Sequence, residues 1–216
     1  RVAFMRVCSG KFERGMVVTH GPTGKPFATK YAHSVSGQDR ETVEEAYPGD
    51  VVGLVNANDF RVGDSIFVDK AVKWPAVPAF APSHFRVARS TDTSRSKQFR
   101  SGITQLDEEG VVQVLREHDV GDQAPILAAV GPLQFEVVQY RLENEFGAPV
   151  ELNACSWTTA RITDEESREK LRGMSGVTVA ARSDGELLAL FESQYWLQRL
   201  ELDQPELTLD KLIAEG

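Results

Sequence analysis

The sequence predicts a mixed architecture, in which a small all-β barrel is followed by an α+β domain with a C-terminal extension. Residues 1–75 contain only short strand-like segments separated by turn residues, whereas helical periodicity appears after residue 85. A proline-rich stretch at residues 73–82 separates the two patterns. We therefore expect one domain over residues 1–75 and a second over residues 76–216.

The barrel is predicted from five short runs of β-branched and apolar residues, at positions 2–8, 16–20, 27–35, 50–55 and 65–69. Glycine, proline, asparagine and aspartate occupy the turns between them. Gly10 and Gly15 lie between the first two strands, where glycine permits tight turns. We therefore expect a hairpin whose tip carries Lys11, Glu13 and Arg14. Closure of such short strands into a barrel removes exposed sheet edges.

The stretch at residues 73–82 carries Pro75, Pro78 and Pro82 among apolar residues. Proline fixes φ and removes a backbone donor, so we predict a stiff, extended connector. Because the stretch is apolar, we expect it to pack against a domain.

The second domain is predicted from a regular alternation of strands and helices. Two helices are predicted, one that starts at the capping residues 93–96 and one that starts at residues 131–132. The predicted strands cover residues 85–89, 111–116, 126–130, 150–154 and 157–162. Apolar residues recur at helical spacing in both helices, as in Phe135, Val138 and Leu142. The order β-α-β-β-α-β is that of a ferredoxin-like domain. The extension is predicted to contain a helix after residue 163, strands at 177–181 and 187–191 and a helix at 195–202, with no internal repeat.

Charge and composition narrow the class of protein. The net charge is −8, and it is unevenly distributed, with 14 Lys and Arg against 23 Asp and Glu after residue 76. This acidity argues against a DNA-binding protein, although a local basic patch could still contact RNA. No apolar run approaches the roughly 20 residues that span a bilayer, and no signal peptide is evident. Cys8 and Cys155 are predicted to be free thiols in a reducing cytoplasm. Because strand-like sequence starts at Arg1, we interpret the chain as part of a longer protein.

Candidate catalytic and metal-binding patterns are weak. The four histidines, His20, His33, His84 and His118, are scattered, and no His-x-x-x-His or Cys-x-x-Cys spacing occurs. The sequence also lacks Gly-x-Ser-x-Gly, and the acidic runs favour solvated faces or helix N-termini. We therefore predict no catalytic, cofactor or metal site in this chain. Three aromatic residues near basic ones either stack bases or pack in the interior: Phe12, Phe60 and Trp74.

Six blocks of residues resemble, in the same order, bacterial peptide chain release factor 3, a family of translational GTPases. They lie at residues 6–16, 43–54, 61–65, 80–86, 106–114 and 129–138. The last block contains the run Gly-Pro-Leu-Gln-Phe-Glu at residues 131–136. The resemblance covers residues 1 to 160, and the extension is less distinctive.

The resemblance implies a cytoplasmic protein that acts late in translation termination, where it helps class I release factors leave the ribosome. In this family a GTP-binding domain precedes the barrel. The chain has no phosphate loop and no Asn-Lys-x-Asp, so GTP and Mg²⁺ are implied for a missing N-terminal domain that is a partner in cis. The chain itself is then a non-catalytic, ribosome-binding module. By family analogy the barrel approaches small-subunit RNA and the following domain a small-subunit protein, with no DNA or membrane partner.

The candidate ribosome-binding residues are predicted from charge and position. Lys11 and Arg14 on the hairpin tip can contact phosphates, and Arg95, Lys97 and Arg100 form a second basic cluster. Three alternatives remain open at this point. The chain could come from an elongation factor G-like or ribosome-protection GTPase, its ferredoxin-like half could be a small-molecule-sensing or acylphosphatase-like unit, or it could be a protein-interaction scaffold.

Overall fold

The computed structural model of the 216-residue chain describes residues 2–34, 41–72, 74, 80–117 and 121–212. Its Cα positions divide into two compact units, Arg1–Val77 and Pro78–Gly216. The connector predicted at residues 73–82 lies mostly outside the described residues.

The first unit is built from short antiparallel strands around one apolar core. Its strands are β1 Val2–Arg6, β2 Phe12–Glu13, β3 Val17–His20, β4 Pro26–Ala28, β5 Ala32–Ser34, β6 Glu45–Ala46, β7 Val51–Val55 and β8 Ile66–Phe67. They form the sheets β1-β7-β5, β4-β3-β8 and β2-β6. The buried core side chains, among them Phe12, Ala46 and Leu54, come from two of these sheets, and the partly buried Phe27 and Ile66 of the sheet β4-β3-β8 pack against them. This is the barrel-type domain that the sequence predicts.

The predicted hairpin between the first two strands is wrong. β1 pairs with β7, whereas β3 pairs with β4 and β8 in a different sheet. The segment between β1 and β3 turns at Gly10 and Gly15, which both have positive φ, and Phe12 enters the core between these turns. Burial of Phe12 makes this segment a crossing strand that pairs with β6.

The predicted strand at residues 27–35 is also divided, into β4 and β5. Thr29 lies between them, and both its amide and its hydroxyl donate to the Met16 carbonyl oxygen, at 3.0 Å each. These bonds turn the chain out of one sheet and into the next.

The first half of the second unit, residues 84–154, is a ferredoxin-like β-α-β-β-α-β arrangement. Its elements are β9 His84–Ser90, α1 Ser96–Glu108, β10 Gln113–Arg116, β11 Ile126–Ala129, α2 Leu133–Asn144 and β12 Val150–Ala154. The strands are antiparallel in the order β12-β9-β11-β10. The predicted apolar faces of both helices pack on this sheet, with Ile103, Leu106, Val138 and Leu142 buried.

The second half, residues 159–211, has the same topology. Its elements are β13 Thr159–Thr163, α3 Glu165–Leu171, β14 Val177–Arg182, β15 Leu187–Phe191, α4 Gln194–Asp203 and β16 Asp210–Lys211. The strand order β14-β15-β13-β16 is the order of the first half read from its other edge. The strand predicted at residues 157–162 therefore opens the second half, and the unit contains a topological repeat that the sequence did not indicate.

The two halves form one eight-stranded sheet, joined where β10 pairs with β14. All four helices lie on one face of this sheet. Arg116 lies opposite Ala181, so their side chains share a face, and each lies on the helix-covered face of its own half. The other face of both halves contributes to a single buried cluster that contains Phe85, Ile126, Leu188 and Leu190. The helices therefore cover one face of the sheet, and the shared cluster lies on the other.

Candidate functional site

The cations Arg95, Lys97 and Arg100 lie together at the start of α1, and all three are exposed. Thr93–Arg95 forms a 3-10 turn that leads directly into α1. The Asp92 carboxylate caps this turn by accepting from the Ser94 amide at 2.9 Å, whereas the N-cap of α1 is Arg95, one of the residues 93–96 expected from the sequence, without a capping bond from its side chain. The core residues Phe99 and Ile103 face the sheet, so the helical period turns Lys97 and Arg100 toward solvent.

The Asp92 carboxylate is engaged locally. A hydrogen bond from the Ser94 hydroxyl, at 2.6 Å, lowers the pKa of Asp92, and the bond from the Ser94 amide adds to this shift. The carboxylate is thus committed to capping the helical segment. The first turns of α1 present a cationic surface that can bind an anionic backbone such as RNA.

The structure places Lys11 and Arg14 on the same short segment, but both are already paired with carboxylates. Lys11 Nζ lies 2.6 Å from Glu45 Oε1 and 3.0 Å from Glu13 Oε1. These hydrogen bonds, first that of Glu45 and then that of Glu13, raise the pKa of Lys11 above its ordinary value. The two carboxylates therefore offset the charge of Lys11 and weaken its attraction for a phosphate.

Arg14 makes a two-point contact with Glu44, from Nε to Oε2 at 3.0 Å and from Nη2 to Oε1 at 2.9 Å. The local charge at this end of the barrel is therefore balanced by acids from β6 and its approach. No local pattern could have revealed these pairs, because the partners lie 30 and 34 residues apart in the chain.

The aromatic candidates do not form a base-stacking surface in the barrel. Phe12 is buried in the core, and Phe60 packs there too, with its ring stacked on the His20 ring at 4.7 Å between centroids. Trp74 is exposed.

A contact network that sequence reasoning missed joins two turns of the barrel. His20 Nδ1 lies 2.8 Å from Thr23 Oγ1, and His20 Nε2 lies 2.8 Å from Asp64 Oδ2. The same Asp64 oxygen accepts from the Arg61 amide at 2.7 Å. This hydroxyl–imidazole–carboxylate order occurs in nucleophilic sites, but here the imidazole is buried and each flanking group also bonds the backbone of its own turn. We interpret the network as a structural brace.

A second missed network holds the start of α2. Gln134 Oε1 accepts from the amides of Val130 and Gly131 at 2.9 and 3.0 Å, and Gln134 Nε2 donates to the Val111 carbonyl at 2.6 Å. The clamp replaces a side-chain N-cap, which α2 lacks at Pro132. Folding therefore explains Gln134 and the core residue Phe135 within the run at residues 131–136.

Within the described ranges, no group of three or more His, Cys, Asp or Glu side chains could hold a metal ion. Among the helices of these described ranges, none is long and apolar enough to cross a membrane.

Comparisons with known proteins define the class. Residues 1–69 match elongation factor G domain 2, and residues 74–201 match the C-terminal domain of class II release factor RF3. A barrel of this type followed by this α+β domain is the C-terminal module of a translation factor. Because the second match covers more than half of the sequence, the chain belongs to the class II release factor RF3 family.

Individual relatives agree with this assignment. The peptide chain release factor 3 of Synechococcus elongatus is 41% identical over 211 residues, which cover 97% of this chain and 38% of the relative. The release factor 3 of Synechocystis is 43% identical, and the match covers 98% of this chain and 39% of the relative. The release factor 3 of Microcystis aeruginosa is 40% identical, and the match covers 100% of this chain and 40% of the relative. The chain therefore spans about two fifths of the length of these relatives.

A crystal structure of a protein from Thermus thermophilus superposes with a TM-score of 0.60 over 86% of this chain and 27% of that protein. At 17% sequence identity this similarity concerns the fold alone.

Proposed function

We propose that this chain is the ribosome-contacting module of a translation-termination GTPase that promotes the departure of class I release factors from the ribosome. The observation that carries this proposal is the match of residues 74–201 to the RF3 C-terminal domain, next to a barrel of the elongation factor G type. GTP and Mg²⁺ would be bound by a domain outside these 216 residues.

The proposed contact with small-subunit RNA uses the two cationic segments unequally. Arg95, Lys97 and Arg100 are exposed at the start of α1, where they are available to phosphates. The charges of Lys11 and Arg14 are offset by their carboxylate partners, so these residues contribute less. The α1 cluster is therefore the principal RNA contact in this proposal.

The test is co-sedimentation of the chain with 70S ribosomes over a salt series of about 50 to 300 mM. We expect R95E/K97E/R100E to weaken binding at least tenfold, and to make it less sensitive to salt because fewer counterions are released. The control variant K170E/R172E/R199E has the same change in net charge. Its substitutions lie on α3, just after the end of α3 and on α4, and it should bind ribosomes as the wild type does.

Two variants with opposite expected effects on ribosome binding test Lys11 and Arg14, the barrel cations. K11E/R14E should weaken binding by less than the α1 variant. E44Q/E45Q should strengthen it, because the substitutions free Arg14 and Lys11 from their partners. Absence of salt-sensitive binding by the wild type would contradict the ribosome-contact proposal, and equal losses in every variant would contradict the assigned residues.

An elongation factor G-like or ribosome-protection origin is not retained, because release factor 3 relatives cover 97–100% of the chain, including the part that matches elongation factor G domain 2. Residues 74–201 match the release factor domain instead. A non-catalytic scaffold predicts no ribosome binding, so the same sedimentation experiment separates it from the proposed function.

A further inference from the structure

The outward face of α2 carries a stripe of apolar side chains with no structural role in the domain. Leu133, Val137 and Tyr140 follow one another at i, i+4 and i+7, and they are 70%, 47% and 65% exposed. Val130, at the turn before the helix, is 48% exposed. We call these four residues the α2 stripe. Large apolar side chains grouped on one helical face are typical of interaction sites.

The fold of the domain does not need the α2 stripe. The opposite face of α2 already fills the core with Phe135, Val138 and Leu142. The Gln134 clamp holds the start of the helix through three hydrogen bonds. The stripe is therefore presented on a helix whose position is fixed by other contacts.

Acidic groups flank one side of the α2 stripe and restrict what can bind it. Glu136 and Glu143 lie beside it and are exposed. The cation of this helix, Arg141, is committed to Glu109 at 2.5 Å and to Glu145 at 2.8 Å. RNA phosphates would be repelled by this rim, and a second copy of the chain would bring acid against acid.

We propose that the α2 stripe is a docking surface for a basic protein segment that carries apolar side chains on one face, as in an amphipathic helix. The apolar side chains would cover Leu133, Val137 and Tyr140, and the flanking lysines or arginines would face Glu136 and Glu143. The proposal goes beyond the RNA contact, because it concerns a different helix and the opposite charge.

The equivalent helix of the second half provides a matched comparison. On α4, Tyr195 and Leu202 are 71% and 82% exposed at the same spacing, but Arg199 occupies the position between them. Arg199 pairs with Asp203 at 3.4 Å, but its guanidinium interrupts the apolar stripe that is continuous on α2. The α4 face should therefore not bind the same segment.

The test is a fluorescence anisotropy titration with a labelled amphipathic peptide that has leucines on one face and lysines on the other. The whole chain is expected to bind it, and L133S/V137S/Y140S to bind at least tenfold more weakly. E136Q/E143Q should weaken binding about threefold and reduce its dependence on salt. The α4 variant Y195S/L202S should bind like the wild type, and circular dichroism verifies that each variant is folded.

Three results would overturn the proposal. In the first, a peptide with glutamates in place of the lysines binds equally well. In the second, the α2 and α4 variants weaken binding to the same extent. In the third, analytical ultracentrifugation detects a dimer that L133S/V137S/Y140S abolishes, which would make a second copy the occupant. None of these measurements uses ribosomes, so their outcome is independent of the proposed function.

Discussion

The two halves of the second unit have the same β-α-β-β-α-β topology but bury different amounts of apolar surface beneath their helices. In the first half, 13 buried residues form the cluster under α1 and α2. In the second half, α3 has only seven residues, and six buried residues form the corresponding cluster. The first half thus resembles a complete small domain, whereas the second depends more on the face that both share.

The halves also begin their helices by related means. Asp92 caps the helical segment after β9, and Asp164 caps α3 after β13, so an aspartate stands at the same topological position in both. The second helices differ, because Ser193 caps α4 whereas the Gln134 clamp holds α2. The same topology is therefore compatible with different contacts at the helix starts, while the shared core couples the two halves.

The largest expected effect tests that coupling. Leu190 is fully buried in the cluster to which both halves contribute. Leu190→Ala should lower the free energy of unfolding by about 2–5 kcal/mol, because it leaves a cavity. Hydrogen exchange should then accelerate in α1 as well as in α4.

The control for this prediction is Leu197→Ala, which removes an equally buried leucine from the cluster under α3 and α4 alone. It should accelerate exchange in the second half more than in the first. If Leu190→Ala leaves exchange in α1 unchanged, the halves are independent and the comparison fails.

A smaller loss of stability is expected from a substitution that tests how tightly α1 packs against α2. A Cβ at Gly102 in α1 would lie 2.6 Å from Leu142 Cδ2 and 3.0 Å from the Phe146 ring. Gly102→Ala should therefore lower the free energy of unfolding by about 1–2 kcal/mol, since crowding exceeds the gain in helix propensity. Chemical denaturation should compare Gly102→Ala, Leu142→Val and the double variant. The double variant should lose at least about 0.5 kcal/mol less stability than the sum of the two single losses.

A crowded glycine of the second half is Gly176, in the loop between α3 and β14, which has a φ of +81° and would place a Cβ 3.3 Å from Trp196. Gly176→Ala should cost about 1–2 kcal/mol because of backbone strain. Trp196→Phe should not relieve it. Relief of that strain by Trp196→Phe would show that side-chain crowding limits both halves alike.

The smallest effect concerns the two aspartate caps at acid pH. Hydrogen bonds from the Thr208 hydroxyl, at 2.5 Å, and then from the Ser167 amide lower the pKa of Asp164 below its ordinary 3.8. A carboxylate whose pKa is depressed by folding contributes stability above the ordinary value. That contribution disappears as the pH falls through the depressed pKa.

The stability difference between the wild type and Asp164→Asn should therefore narrow as the pH is lowered from 7 to below 3.8. Asp92→Asn should behave in the same way, because the Ser94 hydroxyl and amide depress the pKa of Asp92. Denaturation at each pH measures both differences, and NMR titration of the carboxyl groups gives the two pKa values. A difference that is constant with pH would refute the shared capping chemistry.

The sequence alone predicted the elements whose signals are local. The stripe of Phe135, Val138 and Leu142 specified α2 because one amphipathic helix needs no distant partner to be recognised. Turn residues and short β-branched runs likewise predicted a barrel, and the resemblance predicted the family that the comparisons establish.

Tertiary structure alone decided which segments meet. The pairing of β1 with β7 joins residues about 50 apart, and the paired carboxylates of Lys11 and Arg14 lie 34 and 30 residues away. The second β-α-β-β-α-β half has no sequence repeat to reveal it, because a topology constrains only where apolar residues fall and not which ones they are. The pairs Lys11–Glu45 and Arg14–Glu44 and the shared core depend on such distant contacts, which no local periodicity encodes.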